Sequence, residues 1–334
     1  MKRIALIACS NGYGHIRRLL ILADALIKNN SHPVLFAPIH TVRRIVKTRN
    51  IIYPEVIDFD TQTSRENWLN GTAINWVNFT PNLDNFDIVI SDNLIEILLI
   101  RPDAWLSGSF FWHESVNKFP QRIKERSREL LLKYKPKMIS SSLFSSKILK
   151  EYTQLYEVGI FSDINAYSIP SKGQSKNDAL ISCGKGGDVT GVTQNFINKL
   201  SKTKNTVFDT VWIEPNLFPE SAPIWMKKAN FTKEMYSSLM VSIIRPSVGT
   251  ITDSFLYQSK VFLYYEASNL EMRDNAISID VLNLGVDSIG ISDAWEDALF
   301  YMKQPALQRN FLKKVRGVSA NGAKESANII LNLG

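Results

Sequence analysis

The sequence predicts an α/β protein with two domains, each built on an open and mostly parallel sheet. The chain has 334 residues, about twice the usual length of one domain, which favours two domains. In both halves short β-branched runs alternate with amphipathic stretches, the pattern of repeated strand-helix-strand units. Between the halves, residues 163–178 are polar and rich in Ser, Lys, Pro and Gly, as an interdomain linker is.

In the first half, each apolar run leads into a helical pattern. After the first run, Leu19, Leu22 and Leu26 recur at helical spacing, and the pattern ends at Asn29. The predicted strands are 4–9, 33–37, 51–57, 87–91, 105–111 and 138–142. We therefore expect residues 1–162 to form the N-terminal domain.

The same alternation resumes after the linker. The predicted strands are 179–183, 206–213, 239–244 and 260–265, with a helix near 191–200. Residues 179–334 should therefore form a second domain of the same architecture.

The composition is that of an ordinary globular protein. Apolar residues make up 45% and charged residues 21% of the chain, which argues against a disordered or fibrous protein. No apolar run approaches the roughly 20 residues of a membrane-spanning helix. Cys9 and Cys183 each end an apolar run, where a small buried side chain is expected rather than a disulfide. We expect a cytoplasmic protein.

The formal charge of +7 is concentrated in the first half of the chain. Residues 118–137 hold eight basic and two acidic side chains at helical spacing. A solvated helix face accounts for this pattern, and attraction to anionic lipid headgroups or to a phosphate-bearing acceptor is the alternative. Attraction to lipid headgroups would imply that the protein contacts the inner face of the membrane peripherally. No known nucleic-acid-binding motif accompanies the charge, so no nucleic-acid partner is expected.

The loop after the first strand carries a candidate for acid-base chemistry. Open parallel sheets bind ligands at the carboxyl ends of their strands. There, Gly12 and Gly14 permit a tight turn, and His15 opens the following helix. A histidine titrates near neutrality, so His15 is a candidate general base toward an acceptor hydroxyl. A packed or capping histidine is the structural alternative. A dinucleotide-binding fingerprint would need a third glycine.

The loops of the second half favour a nucleotide diphosphate. The turn SCGKGGD at 182–188 lies between a strand and a helix, where backbone N–H groups can cradle phosphate. The segment RPSVGTITDSF at 245–255 places hydroxyls and a glycine at another strand-to-helix junction. The candidate donor-binding residues are Gly184, Gly186, Gly187, Arg245, Ser247, Gly249, Thr250, Asp253, Glu271, Asp274 and Asn275.

Two segments resemble a known enzyme family. They are GYGHIRRLLILADAL at 12–26 and RPSVGTITDSFLYQSKVFLYYEASNLEMRDNA at 245–276. Both resemble the family 28 glycosyltransferases, the family of the lipid II GlcNAc transferase, and the tail NGAKESANIIL resembles the closing helix of such enzymes. The resemblance implies the GT-B arrangement, in which two Rossmann-like domains face each other across a cleft.

The resemblance also implies roles for individual residues. The histidine after the glycine-rich loop is the base, here His15, with Gly12 and Gly14 on the acceptor side. The glycine-rich turn and the Ser/Gly/Thr helix start hold the donor diphosphate, and Asp253 stands where the family has a ribose-binding glutamate. In EMRDNA at 271–276, Met272 replaces the family's glutamine, which leaves the donor sugar open. The loop GYGHIRR also resembles that of the UDP-sugar hydrolase of pseudaminic acid synthesis.

Further polar residues follow strands of the first half. Asp92 and Glu114 are acceptor-side candidates, and His113 is a reserve candidate for the base, with a structural role as the alternative. Asp58 and Asp60 have the spacing of a metal-binding Asp-x-Asp. They lie in the half without the phosphate loops, and their side chains project from opposite sides of a strand. No metal and no other cofactor are expected.

Together these features predict a metal-independent, inverting glycosyltransferase of the hexosyl or N-acetylhexosaminyl type. It would move a sugar from a nucleotide-sugar donor, a UDP-sugar by resemblance, to a hydroxyl of a saccharide or lipid-linked acceptor in cell-envelope polysaccharide or glycoconjugate synthesis. A UDP-sugar hydrolase on the same fold is one alternative. A non-catalytic protein that binds sugar nucleotides is the other.

Overall fold

A computed structural model describes residues 1–48, 51–62, 67, 70, 73–115, 119–163, 176–184 and 189–334. The chain divides into two compact units. Unit 1 comprises Met1–Asp163 and Asn321–Gly334, and unit 2 comprises Ile164–Ala320. Most of the predicted linker, 164–175, lies outside the described residues.

Unit 1 contains a seven-stranded parallel sheet of order β3-β2-β1-β4-β5-β6-β7. Its strands are β1 Arg3–Ile7, β2 His32–Ala37, β3 Glu55–Asp58, β4 Ile88–Asp92, β5 Trp105–Ser107, β6 Lys137–Ser141 and β7 Gln154–Val158. Its first helices are α1 Tyr13–Lys28, α2 Ile39–Thr48, α3 Trp112–Ser115, α4 Gln121–Tyr134 and α5 Leu149–Tyr152. Short 3-10 helices span Ala73–Phe79 and Ile95–Leu99. Apolar residues fill both faces of the sheet, as expected for a parallel sheet covered on both sides.

Unit 2 contains a six-stranded parallel sheet of order β10-β9-β8-β11-β12-β13. Its strands are β8 Asp178–Ser182, β9 Val211–Ile213, β10 Met226–Lys228, β11 Leu239–Ile244, β12 Lys260–Leu263 and β13 Gly285–Asp287. Its helices are α6 Val189–Leu200, α7 Lys233–Ser238, α8 Val248–Leu256, α9 Leu270–Val281, α10 Ile291–Met302 and α11 Pro305–Val315, with a 3-10 turn at Pro215–Leu217. Both units therefore have the strand order of a Rossmann-like domain, and the predicted α/β fold class is confirmed.

Several strand boundaries differ from the prediction. The predicted strand 51–57 begins only at Glu55, directly after Pro54, which has no N–H to donate to a neighbouring strand. The predicted strand 206–213 begins only at Val211, because the Asn205 side chain bonds the amides of Val207 and Phe208 in a turn. The predicted strand 105–111 ends at Ser107. Strands β7, β10 and β13 were not predicted.

The C-terminal helix α12, Gly322–Leu333, belongs to unit 1. The sequence alone predicts this helix as part of the second domain, residues 179–334. Ala323, Ala327 and Ile330 join the core formed by α1 and the sheet of unit 1. The helix begins so close to β7 that a side chain at Gly322 would lie 2.1 Å from the carbonyl oxygen of Gly159. None of the helices in the described parts of the chain is long and apolar enough to cross a membrane.

Candidate active site

The candidate loops of each unit lie at the point where the strand order reverses. In unit 1 this point falls between β1 and β4, and in unit 2 between β8 and β11. At such a point the loops leaving the two central strands diverge and open a crevice at the carboxyl edge of the sheet, where open α/β sheets bind ligands. His15 and Asp92 follow β1 and β4, whereas Gly184 and Ser247 follow β8 and β11.

The loop after β1 brings His15 to the start of α1. Gly12 precedes the helix with a φ of +104°, a conformation that glycine adopts without strain. Gly14 is exposed in the first turn. His15 and Arg18 are three residues apart on the helix, so their side chains project from the same face.

That face of α1 contacts the end of β4. His15 Nδ1 lies 2.7 Å from Asp92 Oδ1. Arg18 Nε donates to Asp92 Oδ2 and Arg18 Nη2 to Asp92 Oδ1, both at 2.7 Å. The Ser107 hydroxyl of β5 donates to Asp92 Oδ2 at 3.3 Å. The structure thus brings together two residues that the sequence singled out separately, and adds Arg18, which the sequence analysis missed.

Asp92 is fully buried but remains an anion. Burial alone would raise the pKa of its carboxyl, but the Arg18 guanidinium and the His15 ring lower it, and the net pKa lies below the ordinary value of 3.8. Because an ionised carboxylate only accepts hydrogen bonds, His15 Nδ1 carries a proton and donates it to Asp92 Oδ1. Among the described residues, no group forms a hydrogen bond with His15 Nε2. This nitrogen is left to accept a proton.

His113 and Glu114 occupy a different environment. His113 is 1% exposed and stacks on Phe111 at a centroid distance of 5.5 Å. Burial lowers the pKa of His113 to about 4, despite the nearby Glu114 carboxylate. Glu114 is paired with Arg128 at 2.8 Å. In this conformation His113 is a packed, neutral ring, as expected for a structural role rather than for a catalytic base.

The glycine-rich turn of unit 2 is described only at its start, because Gly186 and Gly187 lie outside the described residues. Gly184 has a φ of +70°, in the left-handed region. The amides of Cys183 and Gly184 donate to Glu214 Oε2 at 2.9 and 2.8 Å, and the Ser182 hydroxyl donates to the same oxygen at 2.9 Å. Successive amides of this kind form an anion-binding concavity. Here the anion is the buried Glu214 carboxylate at the end of β9, which the sequence analysis did not identify.

The second phosphate candidate lies at the start of α8. Ser247 is its N-cap, and the Ser247 hydroxyl lies 2.9 Å from the Thr250 hydroxyl. The first N–H groups of a helix and its dipole favour an anion at this end. Gly249 lies in the same first turn. Arg245 forms an ion pair with Glu266, so part of its charge is already balanced.

The remaining donor candidates fall into two groups. Asp253 and Asn275 are buried, each at 3% exposure, and the Asn275 amide donates to the Pro246 carbonyl at 3.0 Å. In this conformation Asn275 fixes the loop that precedes α8. Glu271 and Asp274 lie in the first turns of α9, and Asp274 is exposed beside Arg273.

The solved structures that superpose on this chain include several glycosyltransferases. The kitacinnamycin glycotransferase superposes with a TM-score of 0.69 at 12% identity, over 99% of this chain and 98% of that one. UGT89C1 of Arabidopsis thaliana, complexed with UDP, gives a TM-score of 0.66 at 10% identity over 99% of both chains. MurG of Acinetobacter baumannii gives 0.60 at 13% identity over 100% of both.

The chain has the GT-B fold. At these identities the similarity describes the fold alone. No protein-family model matches the sequence, and no curated protein matches it. The implied membership of the lipid II GlcNAc transferase family therefore stays a hypothesis.

Proposed function

We propose that the protein is a metal-independent glycosyltransferase that moves a sugar from a nucleotide-sugar donor to a hydroxyl acceptor. The observation that carries the proposal is the pairing of His15 with the buried Asp92 carboxylate at the switch point of unit 1. This pairing holds the ring through Nδ1 and leaves Nε2 for a proton. The GT-B fold of the chain is consistent with this chemistry.

In the proposed reaction the acceptor hydroxyl attacks the anomeric carbon of the donor sugar. The hydroxyl proton passes to His15 Nε2, and the acceptor oxygen forms the new bond to the anomeric carbon. The bond between that carbon and the leaving phosphate oxygen breaks, and its electron pair leaves with the nucleotide diphosphate. Direct displacement inverts the anomeric configuration. Asp92 stabilises the imidazolium that forms, because it is a buried anion in contact with the ring.

Unit 2 is proposed to bind the donor. The N-terminus of α8, with the Ser247 and Thr250 hydroxyls, offers N–H and O–H donors to the diphosphate without a metal ion. We propose UDP as the nucleotide and a hexose or N-acetylhexosamine as the sugar. These choices rest on the sequence resemblance, and UDP is also the ligand of the superposed UGT89C1.

The acceptor is proposed to be a saccharide or lipid-linked molecule of cell-envelope synthesis. Helix α4, within the basic segment 118–137, exposes Arg122 and Arg126 together with Leu132. Basic and apolar groups on one helix favour an anionic membrane surface. We propose peripheral contact there for a cytoplasmic protein. Co-sedimentation with vesicles of anionic lipid, but not with neutral vesicles, is the expected result.

A thermal-shift screen with nucleotides tests donor binding. UDP in the presence of EDTA should raise the melting temperature by several degrees at about 100 times its Kd, because a ligand of the folded state stabilises it by about 2.7 kcal/mol. Ser247→Ala combined with Thr250→Val should weaken binding tenfold or more. Ser237→Ala, which removes the hydroxyl of a half-buried serine of α7, is the matched control in the same unit.

Each alternative function has a distinct result in these assays. Binding that requires a divalent cation contradicts the metal-independent site. Sugar release from the donor without any acceptor identifies a UDP-sugar hydrolase. Tight nucleotide binding without turnover identifies a non-catalytic binding protein.

A further inference from the structure

Arg18 contacts the Asp92 carboxylate as closely as His15 does. Its guanidinium binds the carboxylate with two bonds of 2.7 Å, from Nε to Oδ2 and from Nη2 to Oδ1. This fork is the strong, geometrically specific form of the Arg-carboxylate pair. Arg18 Nη2 also lies 3.4 Å from His15 Nδ1, so the cation and the ring share one carboxylate oxygen.

The charges of Arg18 and Asp92 influence whether the His15 ring binds a second proton. A fully buried carboxylate paired with a histidine alone would hold a proton on that ring, because the imidazolium would be its sole compensating charge. Arg18 supplies that compensating charge from the same helix. With Arg18 in place, the charges of the Asp92 carboxylate and the Arg18 guanidinium sum to zero. A second positive charge, on His15, would be repelled by Arg18.

The other neighbours of His15 do not alter this balance. The ring of Trp112 in α3 lies 5.8 Å from the His15 ring and carries no charge. The adjacent Arg17 is directed to Asp163, at 3.5 Å. Among the described residues, the charged groups in contact with the His15 ring are Asp92 of β4 and Arg18 of α1.

We propose that Arg18 is a positioning residue that keeps His15 neutral and ready to accept a proton at Nε2, by neutralising the Asp92 carboxylate that the two side chains share. The inference rests on the proposed function, in which His15 is the base. A base accepts a proton only while it is unprotonated, and loss of the Arg18 cation should favour the protonated ring. The charge state can be measured without any substrate.

The test is an NMR titration of the histidine rings in the full chain. The His15 signals are assigned by their absence from the spectrum of His15→Asn. In Arg18→Met the midpoint of the His15 titration should move upward by about one to three pH units relative to the wild type, because a cation within about 4–6 Å is removed. Arg18→Lys keeps the charge but not the two-bond fork, and should move the midpoint by less than half as much as Arg18→Met does.

A matched control is available in the same unit. Arg101 forms a fork with Asp103 through two bonds of 3.0 Å, away from the histidine. Arg101→Met should leave the His15 titration unchanged. An Arg18→Met midpoint within about 0.3 units of the wild type would overturn the proposal.

Loss of Arg18 leaves His15 as the sole charged partner of a buried carboxylate, so Arg18→Met could fail to fold. The double variant Arg18→Met with Asp92→Asn removes both charges and avoids that penalty. In this variant the midpoint should lie within about half a unit of the wild type, because the two opposing charges are removed together. In Asp92→Asn alone only the cation remains beside the ring, and the midpoint should fall by about one to three units. An Asp92→Asn midpoint equal to that of the wild type would contradict the shared-carboxylate arrangement. A correct pattern of shifts with no turnover of any nucleotide sugar would support the role of Arg18 and refute the proposed function.

Discussion

The Asp92 carboxylate joins three elements of unit 1, so its removal should weaken the unit measurably. Asp92→Asn keeps the shape of the side chain but removes the charge that pairs with Arg18 and His15. Breaking a buried ion pair by removing one partner costs about 3–5 kcal/mol. The Arg18 side chain is 14% exposed and regains some hydration. We therefore expect a loss at the lower end, about 3 kcal/mol of unfolding free energy at pH 7.

The loss should depend on pH in a defined direction. The pKa of Asp92 is lowered in the folded protein, while an unfolded Asp titrates near 3.9. The carboxylate therefore contributes stability above about pH 4, and that contribution is lost as the pH falls through the lowered folded pKa. The difference between wild type and Asp92→Asn should accordingly shrink below pH 4.

Urea denaturation followed by circular dichroism at pH 7, 5 and 3 measures this difference. Asp103→Asn is the matched control, because Asp103 also binds an arginine with two bonds but is 68% exposed. An exposed pair contributes less than about 1 kcal/mol. A loss in Asp92→Asn no larger than in Asp103→Asn, or one that stays constant from pH 7 to pH 3, would refute the reasoning.

Two further predictions concern other parts of unit 1. Burial raises the pKa of Glu96 to about 7. The unfolded chain therefore loses this proton at lower pH than the folded one, and the free energy of unfolding falls between about pH 4.5 and 7. In urea titrations, the unfolding free energy of Glu96→Gln should equal that of the wild type at pH 4. At pH 8 it should exceed the wild-type value by up to about 3 kcal/mol. Gly322→Ala should lower stability by about 1–3 kcal/mol in thermal melts, because its methyl group would meet the Gly159 carbonyl. Gly191→Ala, with no atom within 4 Å of the added carbon, should cause no loss; equal effects of the two glycine changes would contradict the packing described for α12.

The fold was predictable from the sequence because the strand-helix alternation is strong in both halves. The elements that were missed are short or carry weak patterns. Strand β10 has three residues, and β13 begins with Gly285. The placement of α12 depends on contacts between the two ends of the chain, and an element pattern read along the sequence does not contain them.

The candidate site was only partly predictable. Gly12, His15 and Asp92 stand out because each follows an apolar run, where loops of a parallel sheet expose side chains. The pairing of His15 with Asp92 depends on β1 lying beside β4, and the spacing of residues along the sequence does not predict which strands are neighbours. Arg18 and Glu214 were missed because their partners are distant in sequence. Asp253 was expected to reach a ligand, yet it lies in a run, Ile251–Leu256, that is buried throughout.

The central claim is that His15 accepts the proton of an acceptor hydroxyl during glycosyl transfer. Steady-state release of nucleotide diphosphate from UDP-sugars, with a panel of saccharide acceptors, should fall by about 10²–10⁴ in His15→Ala, while nucleotide affinity stays unchanged. His32→Ala is the matched control, because His32 pairs with Glu55 on the surface of the same unit. Turnover in His15→Ala equal to that of His32→Ala, with the same pH profile as the wild type, would contradict the account.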